Sequence, residues 1–192
     1  MIYLNQLEYP EMKYNHNMDE GGAPEGWDNV KAAGCGLCSI CMVVDQLTTK
    51  ALELADCVRI SEENGANRKL GTNMQILGPV VAGMYGLNYS NTNDPEAVRA
   101  CLQNGGRVIA NVGGDREGYV GLFSHIGHYI VLVSIDGEEV CVLDPSRKEG
   151  KFEEEGREGK VRLGDPFVYC ALEHLIKDCD NRDPGFHLFT RK

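Results

Sequence analysis

Apolar residues recur at the spacing of an amphipathic helix along much of the first half of the chain. This pattern predicts four helices, which run from Cys35 to Leu47, from Leu52 to Asn64, from the N-cap Thr72 to Met84, and from the N-cap Asp94 to Asn104. We expect the third helix to bend at Pro79, because proline removes one hydrogen bond from the helix. The preceding segment, Met1 to Lys31, is predicted to be irregular, with Trp27 pinning a loop.

Apolar runs bounded by turn residues predict strands in the second half of the chain. Arg107–Val112 fits one strand, and a glycine-rich loop, Gly113 to Gly127, leads to a buried strand that opens at His128. This strand turns at Asp136-Gly137 and the chain returns to Asp144. The predicted hairpin therefore brings His128 and Asp144 to the same end of a strand pair.

The register of this hairpin decides whether the two side chains share a face of the sheet. A two-residue Asp136-Gly137 loop would pair His128 with Pro145 and turn Asp144 away, since neighbouring strand residues point to opposite sides. A contact between His128 and Asp144 therefore predicts a three-residue loop with Gly137 at positive φ, or a β-bulge in one strand.

The C-terminal segments complete an α+β prediction. Arg147 to Gly164 is strongly charged and is predicted to be a solvated loop, Val168 to Lys177 a last helix, and Gly185 to Thr190 a last strand. Helices followed by antiparallel strands indicate an α+β fold in which N-terminal helices pack against the sheet. No internal repeat or domain boundary is recognisable, so we expect a single domain over residues 1–192.

Composition and charge narrow the range of partners. Of the 192 residues 42% are hydrophobic, which is ordinary for a globular domain. The net charge of −10 argues against nucleic acid or an anionic membrane as partner, because both attract basic surfaces. The sequence contains no candidate membrane-spanning segment and no recognisable signal peptide. We expect a cytoplasmic protein, with export after removal of a leader as the alternative, and the oligomeric state stays open.

Cysteine offers the most varied chemistry in this chain. The eight cysteines are spread over several predicted core segments, which favours reduced thiols over a disulfide framework. Cys35, Cys38 and Cys41 resemble iron–sulfur ligands in their spacing, but neither Cys57 nor Cys101 supplies a fourth ligand in a similar context. We therefore expect no metal and no cofactor.

Cys35 differs from the other cysteines because glycines flank it and a predicted helix begins there. A helix N-terminus stabilises a thiolate through its unpaired N–H groups and its dipole, and the flanking glycines are expected to leave room for a substrate carbonyl. With His128 to take the thiol proton and Asp144 to orient the imidazole, Cys35 completes a nucleophile, base and orienter set. His125, in the preceding loop, is a rival base.

These motifs resemble those of stand-alone papain-like cysteine peptidases related to the bacteriocin-processing, double-glycine leader peptidases. The matching pieces span nearly the whole chain and are Leu4-Asn5-Gln6 with Tyr9-Pro10, Gly34-Cys35-Gly36 with Met42, Gly127-His128-Tyr129, and Leu143-Asp144-Pro145. The resemblance implies a papain-like fold, with Cys35 as nucleophile, His128 as base, Asp144 as its orienting partner and Gln6 as the oxyanion-hole side chain. Transporter-linked relatives carry the glutamine only a few residues before the cysteine, whereas stand-alone relatives have a longer interval with an insertion, such as Asn15 to Lys31 in this chain. Asn15 is a second candidate for the oxyanion role.

The function implied by the resemblance is that of a thiol protease, in which a peptide or amide bond is hydrolysed through an acyl-enzyme on Cys35. Acyl or peptidyl transfer by the same triad and a catalytically silent peptide-binding domain are the alternatives. The expected partner is a peptide or protein substrate, and the resemblance suggests cleavage after small residues such as Gly-Gly.

Overall fold

The structure is a computed structural model that describes residues 1–15, 21, 23–69 and 71–192. In these residues the helices are a 3₁₀-helix at Gln6–Glu8, α1 (Val30–Ala33), α2 (Cys35–Leu47), α3 (Leu54–Glu63), α4 (Met74–Tyr85), α5 (Pro95–Gln103) and α6 (Leu172–Cys179). The strands are β1 (Asn67–Arg68), β2 (Gly71–Thr72), β3 (Leu87–Thr92), β4 (Arg107–Val112), β5 (His128–Asp136), β6 (Glu139–Leu143), β7 (Val161–Gly164), β8 (Phe167–Ala171) and β9 (Phe186–Arg191). None of the helices in this part of the chain is long and apolar enough to cross a membrane.

Seven strands form one antiparallel sheet in the order β3-β9-β4-β5-β6-β8-β7. Successive residues of a strand point to opposite faces, and both faces of this sheet are covered. Ile109 and Val131 pack in the core that contains α2, α3 and α4, whereas Val108 and Leu132 pack in the core that contains α5 and α6. The predicted α+β arrangement, with N-terminal helices against an antiparallel sheet, is confirmed.

The helix α2 is almost wholly buried, with ten of its thirteen residues inside the protein. Leu37, Ile40 and Val44 have no exposed surface, and burial of a side chain of this size stabilises the fold by about 1.5–3 kcal/mol. A helix that is apolar on nearly every side is stable only inside a core. Packing therefore fixes the position of Cys35, the first residue of α2, relative to the sheet.

The predicted helix over Val168–Lys177 is wrong in its first half. Residues up to Ala171 form β8, and the helix α6 begins only at Leu172. The backbone of β8 pairs with β6 on one side and β7 on the other, and Val168 and Cys170 are the buried alternate residues. The sheet thus satisfies backbone hydrogen bonds that a helix would have formed within the segment.

The cap predicted for the third helix is also displaced. Asn73 is the N-cap of α4, and its Oδ1 accepts a hydrogen bond from the N–H of Gln75 at 3.0 Å. Thr72 instead ends β2, and its hydroxyl lies 2.9 Å from the hydroxyl of Tyr14 in the core.

The charged segment Arg147 to Gly164 is not simply a solvated loop, and that prediction is wrong at its centre. Lys151 and Arg157 are buried, and the segment ends in β7. The guanidinium of Arg157 donates to the carbonyl of Gly121 at 2.7 Å and pairs with Glu154 at 2.7 Å. The segment therefore folds back onto the loop that leads to His128.

Candidate active site

Cys35 begins α2, and no described side chain caps this end of the helix. The N–H groups of the first turn have no partner within the helix, and the positive end of the helix dipole lies beside the thiol. The backbone N–H groups of Gly36 and Tyr129 also interact with the sulfur. Cys35 is half-buried, whereas Cys38 and Cys41 in the next turns are fully buried.

His128 begins β5 and lies beside Cys35, with only 6% of its surface exposed. Its Nε2 lies 2.8 Å from Oδ1 of Asp144 and 3.0 Å from Oγ of Ser146. Because Nε2 faces these groups, Nδ1 is the ring nitrogen left to face the thiol. The imidazole thus joins the thiol to the carboxylate.

A β-bulge puts His128 and Asp144 on one face of the sheet. The hairpin loop consists of Gly137 and Glu138, with Gly137 at φ 57°, so the predicted turn at Asp136-Gly137 is displaced by one residue. The pairing of β5 with β6 then shifts by one residue in the middle of β5. The predicted bulge is confirmed, and the predicted three-residue loop is wrong.

Asp144 is fully buried, and its two oxygens have different partners. Besides His128, Oδ1 accepts a hydrogen bond from the backbone N–H of Ser146 at 2.9 Å. Oδ2 accepts from Nζ of Lys151 at 2.5 Å, and the same ammonium donates to Oγ of Ser146 at 2.8 Å. The sequence gives no signal for this role of Lys151, since the residues around it are charged and typical of a surface segment.

Burial and charge act in opposite directions on the pKa values of these groups. Burial raises the pKa of the Cys35 thiol, but the hydrogen bond and positive charge of His128 outweigh it and hold that pKa below its ordinary value. Burial lowers the pKa of His128, but the bonds to Asp144 and Cys35 raise it above its ordinary value. Burial raises the pKa of Asp144, but Lys151 and His128 bring it far below its usual range. Both shifts at Cys35 and His128 favour a thiolate–imidazolium pair.

Gly36 follows Cys35, and the packing around it leaves no space for a side chain. A Cβ at this position would lie 2.8 Å from Cβ of Thr72 and 3.2 Å from Cδ2 of Tyr129. The missing side chain lets α2 approach β2 and the start of β5 closely. This close approach brings Cys35 and His128 together.

Cys35 and His128 line a cleft of about 680 Å³. Apolar surface is supplied by Trp27 and Ile126, polar groups by Asn73, Gln75 and Asn111, and positive charge by Arg68 and Arg182. The prediction that Trp27 only pins a loop is therefore wrong, because this side chain lies in the wall of the cleft.

The two candidates for the oxyanion role make hydrogen bonds outside the lining of the cleft. Nε2 of Gln6 donates to the carbonyl of Lys31 at 2.8 Å, next to the segment that leads into Cys35, and Oε1 of Gln6 is buried without a partner in the described ranges. The backbone N–H of Asn15 donates to Glu62 at 2.9 Å. Among the described residues that line the cleft, neither Gln6 nor Asn15 is included.

His125, the alternative base, and the cysteines, the candidate metal ligands, have other roles in the structure. His125 is exposed and lies 2.8 Å from Asp115 and 2.7 Å from Glu154, so it links two surface loops. The eight cysteines are free thiols. Within the described ranges, no group of three or more His, Cys, Asp or Glu side chains is arranged to hold a metal ion.

A solved structure from Bacillus anthracis, provisionally described as a C39-like peptidase, is similar to this chain with a TM-score of 0.55 and 12% sequence identity. The similarity covers 83% of this chain and 89% of the other. The chain has the fold of a C39-like peptidase. A second solved structure, a double-glycine motif protease from an AMS/PCAT transporter in complex with the leader peptide, matches with a TM-score of 0.45 and 19% identity over 82% of this chain and 84% of the other. No protein-family model and no curated protein matches the chain.

Proposed function

We propose that this C39-like protein is a cysteine peptidase that hydrolyses a peptide or related amide bond through an acyl-enzyme on Cys35. The observation that carries the proposal is the continuous set of contacts from the thiol to His128 and from Nε2 of His128 to Asp144 at 2.8 Å. The thiol and the imidazole face a cleft with room for several peptide residues. A nucleophile, a base and an orienting group joined in this order are the requirements for covalent acyl transfer.

In the acylation step, the thiolate of Cys35 attacks the carbonyl carbon of the scissile bond. The proton held by His128 passes to the departing amine nitrogen as the carbon–nitrogen bond breaks, which leaves a thioester on Cys35. Asp144 keeps its negative charge and fixes the plane of the imidazole through Nε2.

In the deacylation step, His128 takes a proton from a water molecule that attacks the thioester carbonyl. The carbon–sulfur bond breaks, the product leaves as a carboxylic acid, and Cys35 regains its thiolate beside the protonated imidazole. Each tetrahedral intermediate carries an oxyanion near the start of α2. We assign its stabilisation to the backbone N–H of Cys35 and to the amide of Gln6, which has a second N–H besides the one given to Lys31.

The experiment is incubation of the wild-type protein and the Cys35→Ala variant with a peptide library that includes Gly-Gly sequences, in water enriched in ¹⁸O. Hydrolysis incorporates one ¹⁸O atom into each new carboxylate, whereas transfer of the acyl group to an amine incorporates none. We expect labelled products from the wild type and none from Cys35→Ala, and the control Cys141→Ser should retain activity. If no cleavage depends on Cys35, the protein is better described as a catalytically silent peptide-binding domain.

A further inference from the structure

Two arginines line the cleft although the protein as a whole is acidic, with a net charge of −10. Its lining includes Arg68 and Arg182, and no Asp or Glu occurs among the described residues that line it. A positively charged cleft in an otherwise negative surface raises the local concentration of anionic groups.

Arg182 lacks a carboxylate partner in the part of the chain that the structure describes. Its Nη2 donates to the carbonyl of Gly113 at 3.3 Å, while its Nε is buried with no hydrogen-bond partner among the described residues. Asp180, the nearest acidic residue before it, pairs with Arg116 at 2.5 Å. A buried N–H without an acceptor is costly, and no described carboxylate balances the charge of this guanidinium in the lining of the cleft.

The guanidinium of Arg182 lies close to the proposed catalytic base. A Cβ at position 127 would come within 2.6 Å of Nη2 of Arg182, and Gly127 immediately precedes His128. An extended peptide advances about 3.3–3.6 Å per residue. A carboxylate that reaches Arg182 would therefore belong to a residue within about two positions of the scissile bond.

We infer that Arg182 is a binding site for a substrate carboxylate, and that the cleft selects peptides with a negative charge beside the cleaved bond. The inference rests on the proposed peptidase function and specifies its substrate class. A guanidinium can bind both oxygens of a carboxylate, and this pairing gives geometric specificity that an ammonium lacks. The carboxylate is supplied by an Asp or Glu side chain or by the free C-terminus of the peptide.

The test uses peptide retention, which requires no turnover. Immobilised Cys35→Ala protein is incubated with a random peptide library in two forms, one ending in a free carboxylate and one ending in an amide, and retained peptides are identified by mass spectrometry. We expect about tenfold enrichment of Asp and Glu over Asn and Gln if side chains are the source. If the terminus is the source, the free-acid form is enriched to the same degree over the amide form.

The variants separate the role of the guanidinium from that of charge in general. Adding Arg182→Gln to Cys35→Ala should abolish the enrichment, and adding Arg182→Lys should reduce it, because lysine keeps the charge but lacks the planar pair of donors. The matched control Arg59→Gln removes an exposed guanidinium on α3 and should change nothing. Circular dichroism of each variant confirms that it is folded.

Equal retention of acidic and amide peptides, or an enrichment that survives Arg182→Gln, would overturn the inference. Failure of the Arg182 inference can be told apart from failure of the proposed peptidase function. Cleavage that depends on Cys35 without a carboxylate preference refutes the Arg182 site alone, and carboxylate retention without any cleavage refutes the peptidase alone.

Discussion

Nζ of Lys151 lies 2.5 Å from Oδ2 of Asp144, the carboxylate oxygen that does not face His128. Only 5% of the Lys151 side chain and none of the Asp144 side chain is exposed. A buried carboxylate is stable as an anion only if it is paired and hydrogen-bonded. Lys151 therefore keeps Asp144 charged and fixed in place, and Asp144 can in turn hold the imidazole.

Replacement of Lys151 by methionine should destabilise the protein strongly. The change leaves the charge of Asp144 only partly compensated, and loss of one partner from a buried pair costs about 3–5 kcal/mol. The free energy of unfolding, measured in denaturant, should fall by an amount in this range. Lys148→Met, which removes an exposed lysine from the same segment, is the matched control and should alter it by about 0.5 kcal/mol or less.

The double variant Asp144→Asn/Lys151→Met makes this test specific to the pair. In Asp144→Asn the side chain at position 144 is already neutral. Adding Lys151→Met to this variant should therefore lower the free energy of unfolding by clearly less than Lys151→Met does in the wild type, so the effects of the two substitutions are not additive. Additive effects would mean that the Lys151–Asp144 contact contributes nothing of its own.

Gly36→Ala should lower both stability and activity. The new methyl group would crowd Thr72 and Tyr129, and overpacking of this kind costs about 1–3 kcal/mol. Gly83→Ala, in α4, is the control, because a Cβ at this position would meet no described atom of another element within 4 Å. Removal of a helical glycine should stabilise the protein by up to about 1 kcal/mol. Thermal unfolding of both variants checks the contrast. Equal melting temperatures for Gly36→Ala and Gly83→Ala would show that α2 can shift to make room for the methyl group at no cost in stability.

Local patterns in the sequence were sufficient to locate α2 and the hairpin that carries His128. The apolar residues of α2 are dense enough to predict its bounds, and the requirement that His128 and Asp144 share a face limits the hairpin to a three-residue loop or a bulge, of which the bulge is present. These features depend on side-chain periodicity within one or two neighbouring elements. They can therefore be predicted without knowledge of the tertiary fold.

Features that depend on the folded path of the chain could not be predicted. The turns after Asp144 return the ammonium of Lys151 to that buried carboxylate, and the residues after α6 bring the guanidinium of Arg182 beside Gly127 in the cleft. The strand β8 is set by its partners β6 and β7, although Val168 and its neighbours also fit a helical pattern. Tertiary contacts override local preference in each case.

Gln6→Ala should lower the rate of turnover by about a hundredfold if this amide binds the oxyanion, which is the usual loss for one such donor. The side chain is buried and its loss removes the donor to the carbonyl of Lys31, so a fall in stability should accompany the change. Turnover is therefore compared at a temperature where both proteins are folded. Asn15→Ala is the matched comparison, and a larger loss of turnover in that variant would transfer the oxyanion role to Asn15.

The central claim is that His128 keeps Cys35 as a thiolate. The pKa of Cys35 is depressed, so its thiolate persists below the pH near 8.5 at which an ordinary cysteine ionises, and is lost only as the pH falls through the lowered value. The internal comparison is Cys141, which is also half-buried but whose pKa is raised by burial.

The most direct measurement is the rate at which iodoacetamide labels each cysteine at about pH 6, read by mass spectrometry of the digested protein. We predict that Cys35 reacts at least about tenfold faster than Cys141, that His128→Ala abolishes this preference, and that Asp144→Asn weakens it less, since Asp144 acts through the imidazole. A peptide aldehyde, run beside iodoacetamide, tests whether the cleft admits a substrate-like probe. If neither reagent prefers Cys35 in the folded protein, or if the preference survives His128→Ala, the claim is contradicted.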